Sequence, residues 1–255
     1  MKRLLLLGGL DPSGGAGVTL DATVAALHGV EPLPIALTAT VQSARGFSSA
    51  SPIPRSVWRD QLRAVVGDAV PDAIKVGFIG CSDLVAEVSE ELRPLAARAP
   101  LVVDPVLSAT AGGMAPGAAL ARAYVEELAP IAALVAPNEP ELQALVDGEP
   151  AGLLRAGAGA VLQKGGHGDG DEAVDVLWGT SAPVRFARPR RSCGAVRGTG
   201  CALASAIAAH LARGADLEAA CRRAGDWLWE LLDAVSPRPD GRPQTLPISR
   251  ARTSP

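Results

Sequence analysis

Arg197-Gly198-Thr199-Gly200-Cys201 runs straight into an apolar, Ala-rich segment, residues 202–211. A loop of small residues feeding a helix leaves the first backbone amides without intrahelical acceptors, at the end where the helix dipole favours negative charge. That combination makes an anion site, and phosphate chemistry is the first hypothesis it raises. The residue entering the helix is Cys201, and a thiol at a helix N-terminus is expected to have a stabilised thiolate, able to act as a base or a polar contact. By itself such a stretch is also a common way to turn a chain and cap its next element. The placement of the other unusual residues decides between the two.

Those residues must be held by regular elements, and the pattern of the chain shows which. Short apolar runs without alternation recur between amphipathic segments, as in parallel strands buried on both faces and joined by helices. Strands are predicted near Arg3–Leu7, Leu33–Thr40, Ala73–Phe78, Leu101–Asp104, Ala132–Ala136 and Ala160–Gln163. A hairpin is predicted at Ala173–Trp178 and Val184–Ala187. Helices are predicted over Gly15–His28, Arg55–Val66, Asp83–Arg98, Gly117–Leu128, Glu139–Val146, Gly200–Arg213 and Leu217–Ala234. The result is an α/β sandwich in which residues 1–235 form one domain. The Pro-, Arg- and Ser-rich tail, 236–255, is expected to be loosely attached.

In open parallel sheets, ligands sit beyond the carboxyl ends of the strands. The residues that follow each predicted strand are polar or Gly-rich: Gly8-Gly9-Leu10-Asp11, Gln42, Gly77-Phe78, Asp104-Pro105, Asn138 to Glu141, and Lys164-Gly165-Gly166-His167. All fall on one rim. Asp104 and Glu141 suit a hydrated Mg²⁺, which needs few carboxylates. Lys164 suits ATP phosphates, and 198–201 suits the transferred group. Singly, Asn138-Glu139-Pro140-Glu141 also reads as a capped helix start and Lys164 as a loop lysine. The Gly-rich run 8–17 is neither a GxGxxG fingerprint nor a Walker A loop, so a nucleotide is expected elsewhere. Asp21 and Gln42 supply groups suited to a heteroaromatic amine.

The bulk properties narrow the field. A formal net charge of −3, scattered Lys and Arg, and only three Phe, four Trp and one Tyr give neither a basic face nor a stacking platform, so nucleic acid is not an expected partner. The opening 1–7 imitates a signal peptide, but its apolar run stops at Gly8-Gly9 and reads as a buried strand. No segment is long and apolar enough to span a bilayer. Cys81, Cys193, Cys201 and Cys221 form no CxxC pair, as expected of reduced thiols in a cytoplasmic protein.

Gly9 to Gly17 with Asp21, then 36–42, Lys75-Val76-Gly77-Phe78, Val103-Asp104-Pro105-Val106, 136–141, 163–167 and Gly198-Thr199-Gly200-Cys201 resemble the hydroxymethylpyrimidine/phosphomethylpyrimidine kinases of thiamine biosynthesis, within the ribokinase-like superfamily. The resemblance runs in order over roughly residues 4 to 213. It implies a three-layer sandwich with a mostly parallel central sheet flanked by helices. It also implies ATP- and Mg²⁺-dependent phosphorylation of 4-amino-5-hydroxymethyl-2-methylpyrimidine and then of its monophosphate. By position, Gly9, Asp21, Gln42, Phe78 and Val106 would line the pyrimidine pocket. Cys201 would lie by the reacting hydroxyl, with Gly198, Thr199 and Gly200 completing the anion hole. Asn138, Lys164 and Gly166 would serve the nucleotide, and Asp104 and Glu141 the metal. A homodimer is the family habit. The chain departs from the family where Thr110 replaces a flap lysine and where Ala195-Val196-Arg197 replaces Asn-Thr-His. Arg197 would then restore positive charge near the site. A pyridoxal kinase, or a module that binds the pyrimidine without turnover, is the competing reading.

Overall fold

The computed structural model describes residues 1–43, 45–107, 117–166, 170–179 and 181–248. Thr110 and His167 lie outside them. Leu4 to Leu7, all fully buried, lie in the first strand, β1 (Arg3–Leu10). Such a run needs a sheet covered on both faces. Leu5 and Leu7 pack into one apolar layer with Trp58, Leu62 and Leu92, whereas Leu4 and Leu6 pack into another with Val24, Ile207 and Trp227. The sheet therefore separates two layers of helices.

In chain order the further elements are α1 (Gly17–Leu27), β2 (Glu31–Ser43), β3 (Gly46–Pro52), α2 (Arg55–Asp68), β4 (Ala73–Val76), α3 (Ser82–Ala96), β5 (Leu101–Val103), α4 (Ala118–Ala123), β6 (Leu134–Val135), α5 (Glu139–Val146), α6 (Pro150–Arg155), β7 (Val161–Gln163), β8 (Glu172–Trp178), β9 (Val184–Pro189), β10 (Val196–Arg197), α7 (Thr199–Ala212), α8 (Leu217–Asp233) and β11 (Gln244–Thr245). Nine strands form one sheet in the order β3-β2-β1-β4-β5-β6-β7-β8-β9. From β2 to β7 neighbours pair in parallel, while β3 and the β8–β9 hairpin are antiparallel. α1, α7 and α8 cover one face, and α2 to α6 the other.

Three features depart from the expectation. The Ser-rich segment 46–52 is an edge strand, paired with β2. The helix expected over Gly117–Leu128 is α4 followed by a π-helical turn, Tyr124–Leu128, and the Tyr124 hydroxyl donates to the Gly77 carbonyl at 3.0 Å. The tail is not loosely attached throughout: Gln244 and Thr245 pair in parallel with Val196 and Arg197, and Leu246 is buried. That pairing ties the tail to the strand that leads into the Gly198 loop.

Candidate active site

The parallel strands end on one rim, around a cavity of about 640 Å³. Its floor is the start of α7. Gly198 sits at φ +80°, and a Cβ there would run into the Gly15 carbonyl and the Leu20 side chain, so only glycine closes this turn. The first intrahelical bond runs from the Ala202 amide to the Gly198 carbonyl (2.8 Å), and no side chain caps the helix. The amides of Thr199, Gly200 and Cys201 therefore lack intrahelical acceptors, and all three residues line the cavity. A concentrated, apolar α7 buries its Ala-rich face against β1 and β4 and so fixes this end in place.

Against that floor stands a cluster of opposite charges. Lys164 Nζ donates to Asp104 Oδ1 at 2.7 Å and lies 3.7 Å from Glu141 Oε2. Gly200 lets them in: a Cβ there would come within 3.3 Å of Lys164 Nζ and 3.8 Å of both Asp104 oxygens. Burial alone would raise the Asp104 carboxyl, but Lys164 and Lys75 more than offset it and hold it below the ordinary value. Burial also pushes the Glu141 carboxyl up, Lys164 notwithstanding. The lysine itself is held charged, because Asp104 and Glu141 outweigh its burial. One atom has no N–H or O–H donor in this arrangement: Asp104 Oδ2 is buried, with the weakly donating Cys201 thiol beside the carboxylate. An orphaned buried carboxylate oxygen is costly and needs a reason.

Of the residues singled out from sequence, Gly9, Gln42, Phe78, Val106, Asp104, Asn138, Glu141, Lys164, Gly166 and Gly198 to Cys201 all line this cavity. Gly9 is where it must be narrow, since a Cβ there would reach 2.9 Å from the Phe78 ring. Asn138 reaches the site as a helix cap. Its side chain accepts from the Glu141 amide, and Glu141 Oε2 from the Asn138 amide, both at 2.8 Å, so this pair forms a capping box that aims Glu141.

Two expectations are corrected. Asp21 does not line the cavity; it is wholly buried beneath it, accepting from Lys75 Nζ at 2.7 Å and from Ser205 Oγ at 2.8 Å. Its α1 position faces α7 and β4, and a carboxylate there is neutralised internally. The Cys201 thiol, expected to be acidified by the helix end, is instead pushed up to about 12. Burial is the main cause; Lys75 lowers it, and Asp104 and Asp21 raise it again. A carboxylate-rich, desolvated floor overrides the dipole.

Two arginines at the site hold roles that the sequence reading did not give them. Arg197, expected to restore positive charge near the site, does line the cavity, but it is 3% exposed and engages Asp11 Oδ2 (3.2 Å), Gln42 Oε1 (3.1 Å) and the Ser43 carbonyl. Arg190 donates to the carbonyls of Gly165, Gly166, Gly170 and Glu172, which shapes the loop after Lys164. An arginine among several others carries no local signal of such a role. Among the described residues no group of three or more His, Cys, Asp and Glu is placed to hold a metal.

A mostly parallel sheet between helical layers, with an amide floor at a helix start and a lysine–carboxylate cluster over it, defines a ribokinase-like small-molecule kinase. The family model for phosphomethylpyrimidine kinase matches residues 11–241. The chain is 34% identical over 259 residues to the hydroxymethylpyrimidine/phosphomethylpyrimidine kinase of Mycobacterium bovis, covering 97% of this chain and 94% of that one. It is 33% identical over 242 residues to the protein of the same name from Rhizobium meliloti, covering 91% and 90%. Against the bifunctional thiamine biosynthetic enzyme TH1 of Arabidopsis thaliana, 33% identical, the chain spans about half the relative's length, 47%. Among solved structures, phosphomethylpyrimidine kinase from Clostridium difficile 630 superposes with a TM-score of 0.77 at 28% identity, covering 90% of this chain and 99% of that one. Staphylococcus aureus pyridoxal kinase in complex with AMP-PCP and pyridoxal reaches 0.84 at 23% identity, covering 96% and 93%, which shows the shared fold. The chain belongs to the phosphomethylpyrimidine kinase family.

Proposed function

We propose that the protein transfers the γ-phosphoryl group of ATP to the hydroxymethyl oxygen of 4-amino-5-hydroxymethyl-2-methylpyrimidine, and then a second phosphoryl group to the resulting monophosphate. The observation that carries this reading is one cavity lined both by Gly9, Phe78 and Val106, where the Phe78 ring lies 2.9 Å from a Gly9 Cβ position and leaves a narrow slot, and by the α7 start and the Lys164–Asp104–Glu141 cluster. The slot admits a planar ring; the amides and the lysine neutralise charge on the phosphoryl group as it moves. Residues 1–235, tied down by β11, would act as one catalytic unit in the cytoplasm, and a homodimer belongs to the same reading.

The residues fit a hydrated Mg²⁺. Asp104 Oδ2 is an unpartnered oxygen and Glu141 stands beside it across Lys164. An ion that keeps most of its waters asks for no more than one or two carboxylates. Bound there, Mg²⁺ would neutralise charge on the ATP phosphates.

The acceptor hydroxyl must lose a proton, and a thiol at about 12 is no resting base. We assign it a relay. As the substrate oxygen bonds to phosphorus and the bond to the ADP oxygen breaks, the hydroxyl proton passes to Cys201 sulfur while the thiol proton passes to the ionised Asp104 carboxylate. No free thiolate accumulates. A loose transition state tolerates this late transfer, since positioning and charge neutralisation dominate its barrier.

An ATP-coupled assay with the hydroxymethylpyrimidine, its monophosphate and pyridoxal as separate acceptors tests the reading. Turnover of the pyrimidines well above pyridoxal is expected. Preference for pyridoxal, or no turnover of any acceptor, would overturn it. Sedimentation velocity checks the dimer.

A further inference from the structure

We propose that Arg197 is a positioning residue that locks the Gln42 side-chain amide in one orientation, so that Gln42 acts as an obligatory hydrogen-bond donor to a ring nitrogen of the heteroaromatic acceptor. The inference deepens the proposed function and rests on that reading of the cavity.

From β10, just before the α7 floor, the buried guanidinium bonds two separate segments: Asp11 in the loop after β1, and Gln42 and Ser43 at the end of β2. Arg has five donors and no acceptor, so Gln42 can meet it only with its oxygen. The 3.1 Å bond from Arg197 to Gln42 Oε1 therefore decides which end of the amide is which, and leaves Nε2 to the cavity that Gln42 lines. An unclamped glutamine presents either end at a small cost; this one presents only N–H.

The clamp is itself held on every side. Asp11 Oδ1 is occupied by the Ser13 amide (2.8 Å) and hydroxyl (2.7 Å), which leaves Oδ2 for the arginine. The backbone of Arg197 is paired with Thr245 in β11, and the Thr245 methyl lies 2.7 Å from where a Gly15 Cβ would be. A lysine cannot replace the fork, because an ammonium reaches fewer partners and lacks the planar geometry. Phe47 and Phe78, whose rings meet edge to face at 6.5 Å, line the same cavity, so the Gln42 amide is presented beside an aromatic wall. A ring nitrogen with a lone pair in the plane matches an N–H; a ring C–H at that place leaves the donor unpaired, and such a mismatch is strongly penalised in a site built to bond.

The test compares wild type, Arg197→Met and Gln42→Glu on three acceptors with saturating ATP: the 4-amino-5-hydroxymethyl-2-methylpyrimidine and its two pyridine isosteres, in which one or the other ring nitrogen is replaced by C–H. Wild type should disfavour one isostere by about 30-fold in kcat/KM, the scale of one buried donor left unpaired, mostly through KM. Arg197→Met should bring that ratio to within about threefold while kcat changes little. Gln42→Glu keeps and strengthens the pairing with Arg197 but removes the donor, so it should lose the parent compound to the level of the isostere even if Arg197→Met folds poorly. Equal losses on all three acceptors, with the ratio unchanged, would mean a structural role only and overturn the proposal. A second readout needs no substrate. The ¹⁵N-edited side-chain amide protons of Gln42 should be dispersed and slowly exchanging in unliganded wild type and averaged in Arg197→Met. An unaltered signal overturns the clamp, and it decides the matter even if wild type phosphorylates none of the three compounds, which is instead the failure of the proposed function.

Discussion

Two buried Lys–Asp pairs lie under the same cavity, each with a 2.7 Å bond, and they do opposite things. Lys75–Asp21 is fully buried and complete, since Ser205 satisfies the second carboxylate oxygen. Lys164–Asp104 borders the cavity, with the lysine side chain 10% exposed, and leaves Asp104 Oδ2 unsatisfied. The first pair is finished by the protein. The second is left for a ligand to finish, and an open valence beside an amide floor is a better mark of a reacting centre than burial or charge.

The comparison breaks most sharply at Asp104. Asp104→Asn removes the relay's terminal acceptor and a carboxylate assigned to the metal, so kcat should fall by about 10⁴-fold, the upper range for losing a general acid–base group, while the lost pairing with Lys164 lowers the melting temperature only modestly. Steady-state rates and thermal melts check both halves. A variant that melts early, with activity lost in proportion, would make Asp104 a second Asp21. Lys75→Met should show the reverse. It strands Asp21 as an uncompensated buried carboxylate, costing roughly 3–5 kcal/mol of stability. The protein that remains folded at low temperature should keep kcat within a small factor.

Sequence could not separate these pairs. Asp21 follows the Gly-rich loop and reads as a substrate contact, and only the packing of α1 on α7 shows that Ser205 and Lys75 claim it first. The buried parallel strands and the rim were legible because continuous runs such as Leu4 to Leu7 have no reading except strands covered on both faces. The edge strand 46–52 was not, because Ser-rich, half-exposed residues carry no core pattern. β11 was hidden for a related reason: two residues of pairing in a Pro- and Arg-rich tail have no periodicity, and their effect comes from the partner strand. The thiol failed differently. Its local context, a helix start, was read correctly, but its ionisation is set first by burial and then by Lys75, Asp104 and Asp21, all distant in sequence.

Cys201 lies between the two pairs and draws a smaller effect. Cys201→Ala should lower kcat by about 10²-fold, whereas Cys201→Ser, which can still pass a proton along, should recover much of it. With the thiol raised from about 9 to about 12, thiolate is scarce below pH 10. Alkylation at pH 8 should accordingly be far slower at Cys201 than at the exposed Cys81, as peptide mass spectrometry can show. Rapid alkylation of Cys201 at that pH would restore the thiolate base and remove the relay.

The gentlest intervention converts one pair toward the other. Ser205→Ala leaves Asp21 Oδ1 without its donor, giving the finished pair the same orphaned oxygen that Asp104 carries. A buried acceptor left unpaired costs about 1–3 kcal/mol, and calorimetric or denaturant unfolding should find a loss in that range. Because this oxygen faces α7 rather than the cavity, no ligand can satisfy it, so saturating ATP and acceptor should leave the deficit in place. At Asp104 the same vacancy lies where a ligand can fill it, and ligand binding should stabilise wild type more than Asp104→Asn. If Ser205→Ala costs nothing, an unpartnered oxygen is cheap in this interior, and the open valence of Asp104 loses its value as a mark of function.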